Sequence, residues 1–164
     1  MGNLNSLKGW DNINKKWGKN DIKPYEFFLV FSDTQQGSKH HGYGFIDTHQ
    51  LILPSKNLSE HCYERMFEGC SGMIDSPTNL PAEFLPNNCY ERMFSGCTSL
   101  ISMPYINGTS INAQSCKQMF ENCSNLTWTT PIHNLQNVSD YSCQLMFNGC
   151  TNLKYYSDIS VDTV

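Results

Sequence analysis

The sequence predicts an α/β repeat fold: a short solenoid of about four coils, preceded by a non-repeating N-terminal cap that contains strands. Met-Phe pairs recur at intervals of 27, 26 and 27 residues, and cysteines recur with them on both sides. A unit of this length repeated in series indicates coils that stack and bury a shared core. The cap occupies residues 1–50 and the coils residues 51–164.

Each unit carries the same apolar and cysteine positions around its Met-Phe pair. These positions are an aliphatic residue (Leu58, Leu85, Ile111, Val138), a first cysteine (Cys62, Cys89, Cys116, Cys143), the pair itself (Met66-Phe67, Met93-Phe94, Met119-Phe120, Met146-Phe147), a second cysteine (Cys70, Cys97, Cys123, Cys150) and an apolar residue (Met73, Leu100, Leu126, Leu153). We expect residues of one column to pack on one another, with Phe94 and Phe120 fully buried in the middle of the stack.

Within each unit we expect one helix and one strand. Apolar residues recur at three- and four-residue spacing up to the Met-Phe pair, which is typical of a helix. A residue that tolerates a left-handed conformation follows two positions after each Phe and is expected to end that helix, namely Gly69, Gly96, Asn122 and Gly149. A Cys-x-x-apolar segment then leads into an extended run that ends at a proline, which predicts a strand.

Two segments carry a resemblance to a known repeat family. They are Cys-Tyr-Glu-Arg-Met-Phe-Glu-Gly-Cys at 62–70 and Cys-Tyr-Glu-Arg-Met-Phe-Ser-Gly-Cys-Thr-Ser-Leu at 89–100. They resemble the BspA-like leucine-rich repeats of bacterial surface proteins, and are similar to repeats of phages and of mobile elements in gut bacteria. The similarity covers residues 53–153 and implies a leucine-rich-repeat solenoid that binds or adheres without a shared active site. In the last two copies the first cysteine lies one place closer to the methionine.

The first fifty residues do not repeat. Leu4, Leu7, Trp10, Ile13 and Trp17 follow helical spacing, and Tyr25–Phe31, Tyr43–Ile46 and Leu51–Leu53 are predicted strands. A solenoid needs a cap over its first coil, which explains part of this segment. Its length also allows an attachment arm that inserts Trp10 and Trp17 into a partner.

Composition and motifs argue against several classes of function. The net charge is −4 with no basic face, so nucleic acid is not an expected partner. No apolar run reaches the 18 residues of a membrane span, and no ordinary export signal is visible. The chain has no nucleophile or phosphate-binding motif and no paired metal-ligand spacing among its cysteines and histidines. We therefore expect no enzyme activity, no cofactor and no metal.

The eight cysteines allow two interpretations. Cysteines of one column approach within reach of a disulfide, for example Cys70 and Cys97. The favoured alternative is a ladder of buried thiols that act as small apolar groups.

The run after each Cys-x-x-apolar segment is the best candidate for a binding surface. One column contains Trp128 and Tyr155, the next contains Met103 and Tyr156, and Tyr105 lies nearby. These aromatic residues suit contact with protein or carbohydrate. An equally weighted alternative is that they fill the wider end of the solenoid, and the sequence leaves open which column faces solvent.

The leading hypothesis is a non-enzymatic interaction protein on the surface of a larger assembly, a phage virion, where it serves as a structural, decoration or fibre-associated protein. The competing hypothesis is a bacterial cell-surface or secreted adhesin that binds host protein or glycan. An open strand edge at the C-terminal end also allows a homo-oligomer.

Overall fold

The computed structural model describes residues 10–11, 16–17, 24, 48, 51, 53, 57–130, 132 and 135–154. These residues form seven strands of two residues each: β1 (Trp10–Asp11), β2 (Lys16–Trp17), β3 (Asn79–Leu80), β4 (Phe84–Leu85), β5 (Tyr105–Ile106), β6 (Ser110–Ile111) and β7 (Asn137–Val138). None of the described residues belongs to a helix, so none of them forms a helix long and apolar enough to cross a membrane.

The strands of the repeat region pair in parallel, each with its counterpart in a neighbouring unit. One sheet has the order β4-β6-β7 and a second pairs β3 with β5. We number the units as repeat 1 (58–84), repeat 2 (85–110), repeat 3 (111–137) and repeat 4 (138–164), each beginning at its aliphatic residue. Single parallel bridges also join Asp75 to Ser102 and Ser102 to Trp128.

The predicted α/β solenoid is wrong in two respects. The described residues contain no helix, and their strands form small separate sheets rather than a closed coil. Each expected helix is replaced by a run of overlapping four-residue turns, which we call the turn run. The four turn runs cover residues 59–70, 86–97, 112–123 and 139–150.

Main-chain N–H groups in a turn run alternate between two kinds of acceptor. In repeat 2, Met93 donates to the carbonyl of Tyr90, which closes a turn, at 3.1 Å. The next N–H, from Phe94, donates to Met119 in repeat 3 at 2.9 Å. Half of the main chain therefore stabilises its own turns, and the other half joins each repeat to the next one.

A left-handed residue recurs every fourth position of each turn run. In repeat 2 these are Asn88, Arg92 and Gly96, with φ of 57°, 53° and 75°. A helix cannot continue through such residues, because the left-handed conformation turns the chain the other way. Apolar residues therefore return with a period of four. Over nine residues that period is indistinguishable from the 3.6 of a helix, which is why the sequence pattern was misleading.

The core consists of the columns that the sequence defines. The four methionines of the Met-Phe pairs are buried, and the phenylalanine rings stack with centroids 5.4 to 5.7 Å apart and planes within 8° of parallel. Phe94 and Phe120 are fully buried, as expected. Leu85, Ile111, Leu100 and Leu126 complete this core.

The one-residue difference in repeat length is absorbed beside a proline. Asp75 pairs with Ser102, an offset of 27 residues, whereas Asn79 pairs with Tyr105, an offset of 26. The missing residue therefore lies in the corner that contains Pro104, and the turn runs keep their register.

In the N-terminal segment, β1 and β2 pair antiparallel, with Trp10 opposite Trp17. These residues are extended, so the helical spacing that connected Trp10 and Trp17 does not describe them. The predicted strands Tyr25–Phe31 and Tyr43–Ile46 lie outside the described residues, while Leu51 and Leu53 are described and are not in a strand.

Candidate binding surfaces

The strand side of the stack exposes some of the predicted binding residues and buries another. Trp128 is 54% exposed and Tyr105 is 42% exposed. Met103 is only 4% exposed and packs in the core, so its column faces inward and Met103 does not belong to a binding surface. The outward column is therefore the one that contains Asp75, Ser102 and Trp128.

The remaining predicted site residues cannot be placed on a surface. Tyr155 and Tyr156 lie outside the described residues. The main chains of Trp10 and Trp17 pair in β1 and β2, which says nothing about attachment.

Two exposed isoleucines accompany Trp128 on the strand side. Ile101 donates its N–H to the carbonyl of Ile74 at 3.1 Å, and Thr127 donates to Ile101 at 2.9 Å. Ile74, Ile101 and Thr127 thus form a ladder through repeats 1 to 3, directly beside the column of Trp128. This apolar strip is shallow and carries no cluster of polar groups.

The opposite, turn side is charged through repeats 1 to 3. Arg92 donates from Nε to Glu68 of repeat 1 at 2.8 Å and lies 3.5 Å from a carboxylate oxygen of Glu121 in repeat 3. Arg92 also contacts the side chain of Gln118. Lys117 lies 3.8 Å from Glu91, which adds a second link between repeats 2 and 3. These side chains solvate the turn side and connect the repeats.

Repeat 4 departs from this polar pattern at two positions. Where repeats 1 to 3 have His61, Asn88 and Gln114, repeat 4 has Tyr141; where they have Arg65, Arg92 and Gln118, it has Leu145. Tyr141 is 65% exposed and Leu145 is 51% exposed. Val138 at the start of repeat 4 is exposed as well, whereas Leu85 and Ile111 in its column are buried. We call Val138, Tyr141 and Leu145 the terminal patch.

Two members of the terminal patch also have an unfavourable backbone conformation. The φ angles of Tyr141 and Leu145 are 58° and 56°. A bulky side chain is rare in this region, and the conformation costs about 1–2 kcal/mol for a residue other than glycine. Asn and Gln in the earlier repeats are better suited to these positions because they are polar, and Asn also tolerates this region well.

The main chain beside the terminal patch presents hydrogen-bond donors only. In repeats 1 to 3, four alternate N–H groups of each turn run donate to the next repeat at 2.7 to 3.0 Å. Their counterparts in repeat 4, which we call the end row, are the N–H groups of Cys143, Leu145, Phe147 and Gly149, and they have no acceptor within the described part of the chain. The carbonyls of the same four residues are occupied by turns within repeat 4.

The two ends of the stack differ in burial. Phe67 in repeat 1 is fully buried, whereas Phe147 in repeat 4 is only partly buried. Cys143, Cys150 and Leu153 are partly buried as well. Repeat 4 thus exposes edges of the same columns that are sealed elsewhere.

All eight cysteines are free thiols. Burial raises the pKa of Cys89, Cys97 and Cys123, so these thiols stay protonated. Cys143 differs, because a hydrogen bond with Cys116 lowers its pKa to about 7. Within the described residues no three Cys, His, Asp or Glu side chains are grouped as metal ligands would be.

Comparison with known protein families, curated proteins and solved structures found no match for this chain. The candidate surfaces therefore rest on the geometry alone.

Sequence reasoning found Trp128 and Tyr105 but missed the terminal patch. A signal for it was present, because the columns of Tyr141 and Leu145 are polar in the other three repeats. Polar columns attract no attention when the search follows apolar ones.

Proposed function

We propose that this chain is a non-enzymatic protein-interaction module that docks through the end of repeat 4. The observation that carries the proposal is the replacement of two polar columns by exposed Tyr141 and Leu145 in the terminal repeat. A terminal repeat that merely faces water is expected to have a polar outer face. Here the terminal repeat is the more apolar one, which is what a covered surface requires.

The end row specifies what kind of partner fits. Each interior junction of the stack joins a row of N–H groups to a row of carbonyls, and the end row is the same donor row without its acceptors. The proposed partner is therefore a different polypeptide that presents main-chain carbonyls along one edge, flanked by aliphatic side chains that cover Tyr141 and Leu145. It adds to the stack as a further layer, in the manner of strand addition to a sheet edge.

The polarity of the end row disfavours a second copy as the partner. A symmetric pair through this row would place donors against donors, and each unpaired buried N–H costs about 1–3 kcal/mol. A head-to-tail pair would have to displace whatever covers Phe67 at the other end. A homo-oligomer through this edge is thus a poorer fit than a heterologous partner.

The larger assembly that we propose is a virion, with a structural, decoration or fibre-associated role at its surface. The resemblance of the repeats to those of phages and bacterial surface proteins supports this choice. Mass spectrometry of purified virions tests it directly, because the protein should be present in stoichiometric amounts. Its absence from the particles would reject the location while leaving the docking surface open to test.

The docking surface is tested with substitutions that restore the polar columns. Tyr141→Asn and Leu145→Gln copy Asn88 and Gln118, and both should abolish incorporation into the assembly without unfolding the protein. Ile101→Thr copies Thr127 on the strand side and serves as the matched control. Incorporation equal to wild type for both repeat 4 variants, measured by mass spectrometry of the assembly, would refute docking through this end.

The strand side supports a second candidate function, adhesion to glycan at a cell surface. Its support is the exposed indole of Trp128 near the exposed ring of Tyr105, since aromatic faces stack on sugar rings. Binding to a glycan array that is lost in Trp128→Ala but kept in Leu145→Gln would favour this function over docking through repeat 4.

A further inference from the structure

The column three residues before each methionine changes character halfway through the stack. It contains Tyr63 and Tyr90 in the first two repeats, whose rings stack at 6.0 Å, and Cys116 and Cys143 in the last two. The serine that precedes each of these cysteines takes the place of the earlier cysteine: Ser115, for example, is fully buried and bonds to three carbonyls. The sequence shift therefore brings two thiols together across the junction of repeats 3 and 4.

The backbone holds these two thiols in register. Cys116 donates its N–H to Ser142, the neighbour of Cys143, at 2.8 Å. Two positions further the junction continues with the N–H of Gln118 bonded to Gln144 at 2.9 Å. Residues of one column lie about 5 Å apart in adjacent layers, which falls within the Cα separation that disulfides adopt.

The two thiols of the pair differ in exposure and in proton affinity. Cys116 is fully buried, whereas Cys143 is partly exposed at the open end of the stack. The hydrogen bond from Cys116 and a weaker one from Ser142 lower the pKa of Cys143 to about 7, although burial opposes this. The same hydrogen bond, together with burial, raises the pKa of Cys116. Cys143 is thus the accessible thiolate, and Cys116 holds the proton behind it.

The second cysteine column lacks these properties at the same junction. The thiol of Cys150 donates to the carbonyl of Phe120 at 3.1 Å, and that of Cys123 donates to the carbonyl of Phe94 at 3.1 Å. Each thiol is therefore held on a carbonyl rather than on the other thiol. Burial also raises the pKa of Cys150 despite its partial exposure.

We propose that Cys143 and Cys116 form a reversible oxidation site that links repeats 3 and 4 by a disulfide. With a peroxide as oxidant, the Cys143 thiolate attacks one oxygen, the O–O bond breaks, and Cys143 becomes a sulfenic acid while hydroxide leaves. Cys116 then attacks the sulfenic sulfur, its proton leaves with the hydroxyl group as water, and the S–S bond forms. Accessible thiolates next to a resolving cysteine follow this route.

The site lies beside the terminal patch, so the disulfide fixes the repeat that carries that patch onto the rest of the stack. The inference does not depend on docking, since it concerns thiols within one chain.

The experiment treats the reduced full-length protein with hydrogen peroxide, blocks the remaining thiols and maps the cysteines by mass spectrometry. The expected result is a mass loss of about two hydrogens and a peptide linking Cys116 to Cys143, which dithiothreitol reverses. The oxidised protein should also unfold at a higher temperature than the reduced protein.

Two variants control the experiment. Cys143→Ser should lose the mass change, while Cys150→Ser, which removes the other partly exposed thiol, should retain it. If Cys116→Ser remains folded by circular dichroism, its Cys143 should accumulate sulfenic acid. In wild type, oxidation of Cys143 with Cys116 still free, or oxidation of Cys150 before Cys143, would overturn the proposal.

Discussion

The thiol of Cys97 donates a hydrogen bond to the main-chain oxygen of Phe67, thirty residues earlier, at 3.2 Å. The same oxygen accepts the N–H of Cys70, so it serves both its own turn and the next repeat. Cys123 and Cys150 repeat the bond with Phe94 and Phe120. This cysteine column thus supplies small buried donors to turn carbonyls, which explains why a cysteine recurs where an alanine would fill the space.

Replacing Cys97 should therefore cost more than its volume suggests. Cys97→Ala removes a buried donor and leaves a small cavity, and we expect a loss of about 1–3 kcal/mol in the free energy of unfolding. Cys150→Ala removes the equivalent bond at a partly exposed position and should cost clearly less. Urea denaturation of both variants measures the difference, and equal losses would show that the thiol bond contributes little.

The phenylalanine stack predicts a gradient of stability along the chain. Phe94→Ala empties a fully buried site between two stacked rings, and it should lower the free energy of unfolding by about 3–5 kcal/mol. Phe147 has one stacked neighbour, Phe120, and is only partly buried, so Phe147→Ala should cost less than half as much. Thermal and urea denaturation of the two variants compare these sites, and the same loss at both would mean that repeat 4 is as well covered as repeat 2.

Buried thiols should make the protein sensitive to alkaline pH. The pKa values of Cys89, Cys97 and Cys123 are raised by burial above their ordinary value of 9.0. Below that pH both the folded and the unfolded state keep these protons. Above it the unfolded chain loses protons that the folded chain retains, so the free energy of unfolding should fall as pH rises further.

Urea denaturation in the presence of a reductant, from about pH 7 to about pH 10, measures this slope. The Cys97→Ala variant should show a shallower decline than wild type. A free energy of unfolding that stays constant above pH 9 would contradict the expected protonation of these thiols.

Leu145→Gln should separate docking from folding. The side chain is half-exposed and its φ is 56°, so its removal takes little from the core and relieves an unfavourable contact with water. We expect the free energy of unfolding to change by no more than about 0.5 kcal/mol. Differential scanning calorimetry measures this, and a large loss of stability would mean that Leu145 packs within the chain rather than serving a partner.

The columns of the stack could be predicted from the sequence, whereas the backbone that presents them could not. Equivalence of Met93 and Met119 follows from spacing alone, and the structure places both in the core. The turn runs were mistaken for helices because a four-residue period over nine residues resembles helical spacing. Positive φ at Arg92 or Leu145 has no sequence signal, since these residues are unusual in that conformation.

The inward orientation of Met103 was also beyond the sequence. Met103 and Ser102 are adjacent in an extended run, so they face opposite sides, and choosing between them requires the position of the core. The exposure of Trp128 followed once that choice was made, because Trp128 pairs with Ser102.

The change of offset at the Pro104 corner has a practical consequence for engineering. Nature has already shortened this bend by one residue while every turn run above and below it kept its partners. Foreign peptides grafted at this bend should therefore be displayed without disturbing the scaffold, whereas a single residue inserted between Tyr90 and Phe94 would shift a whole layer of bonds.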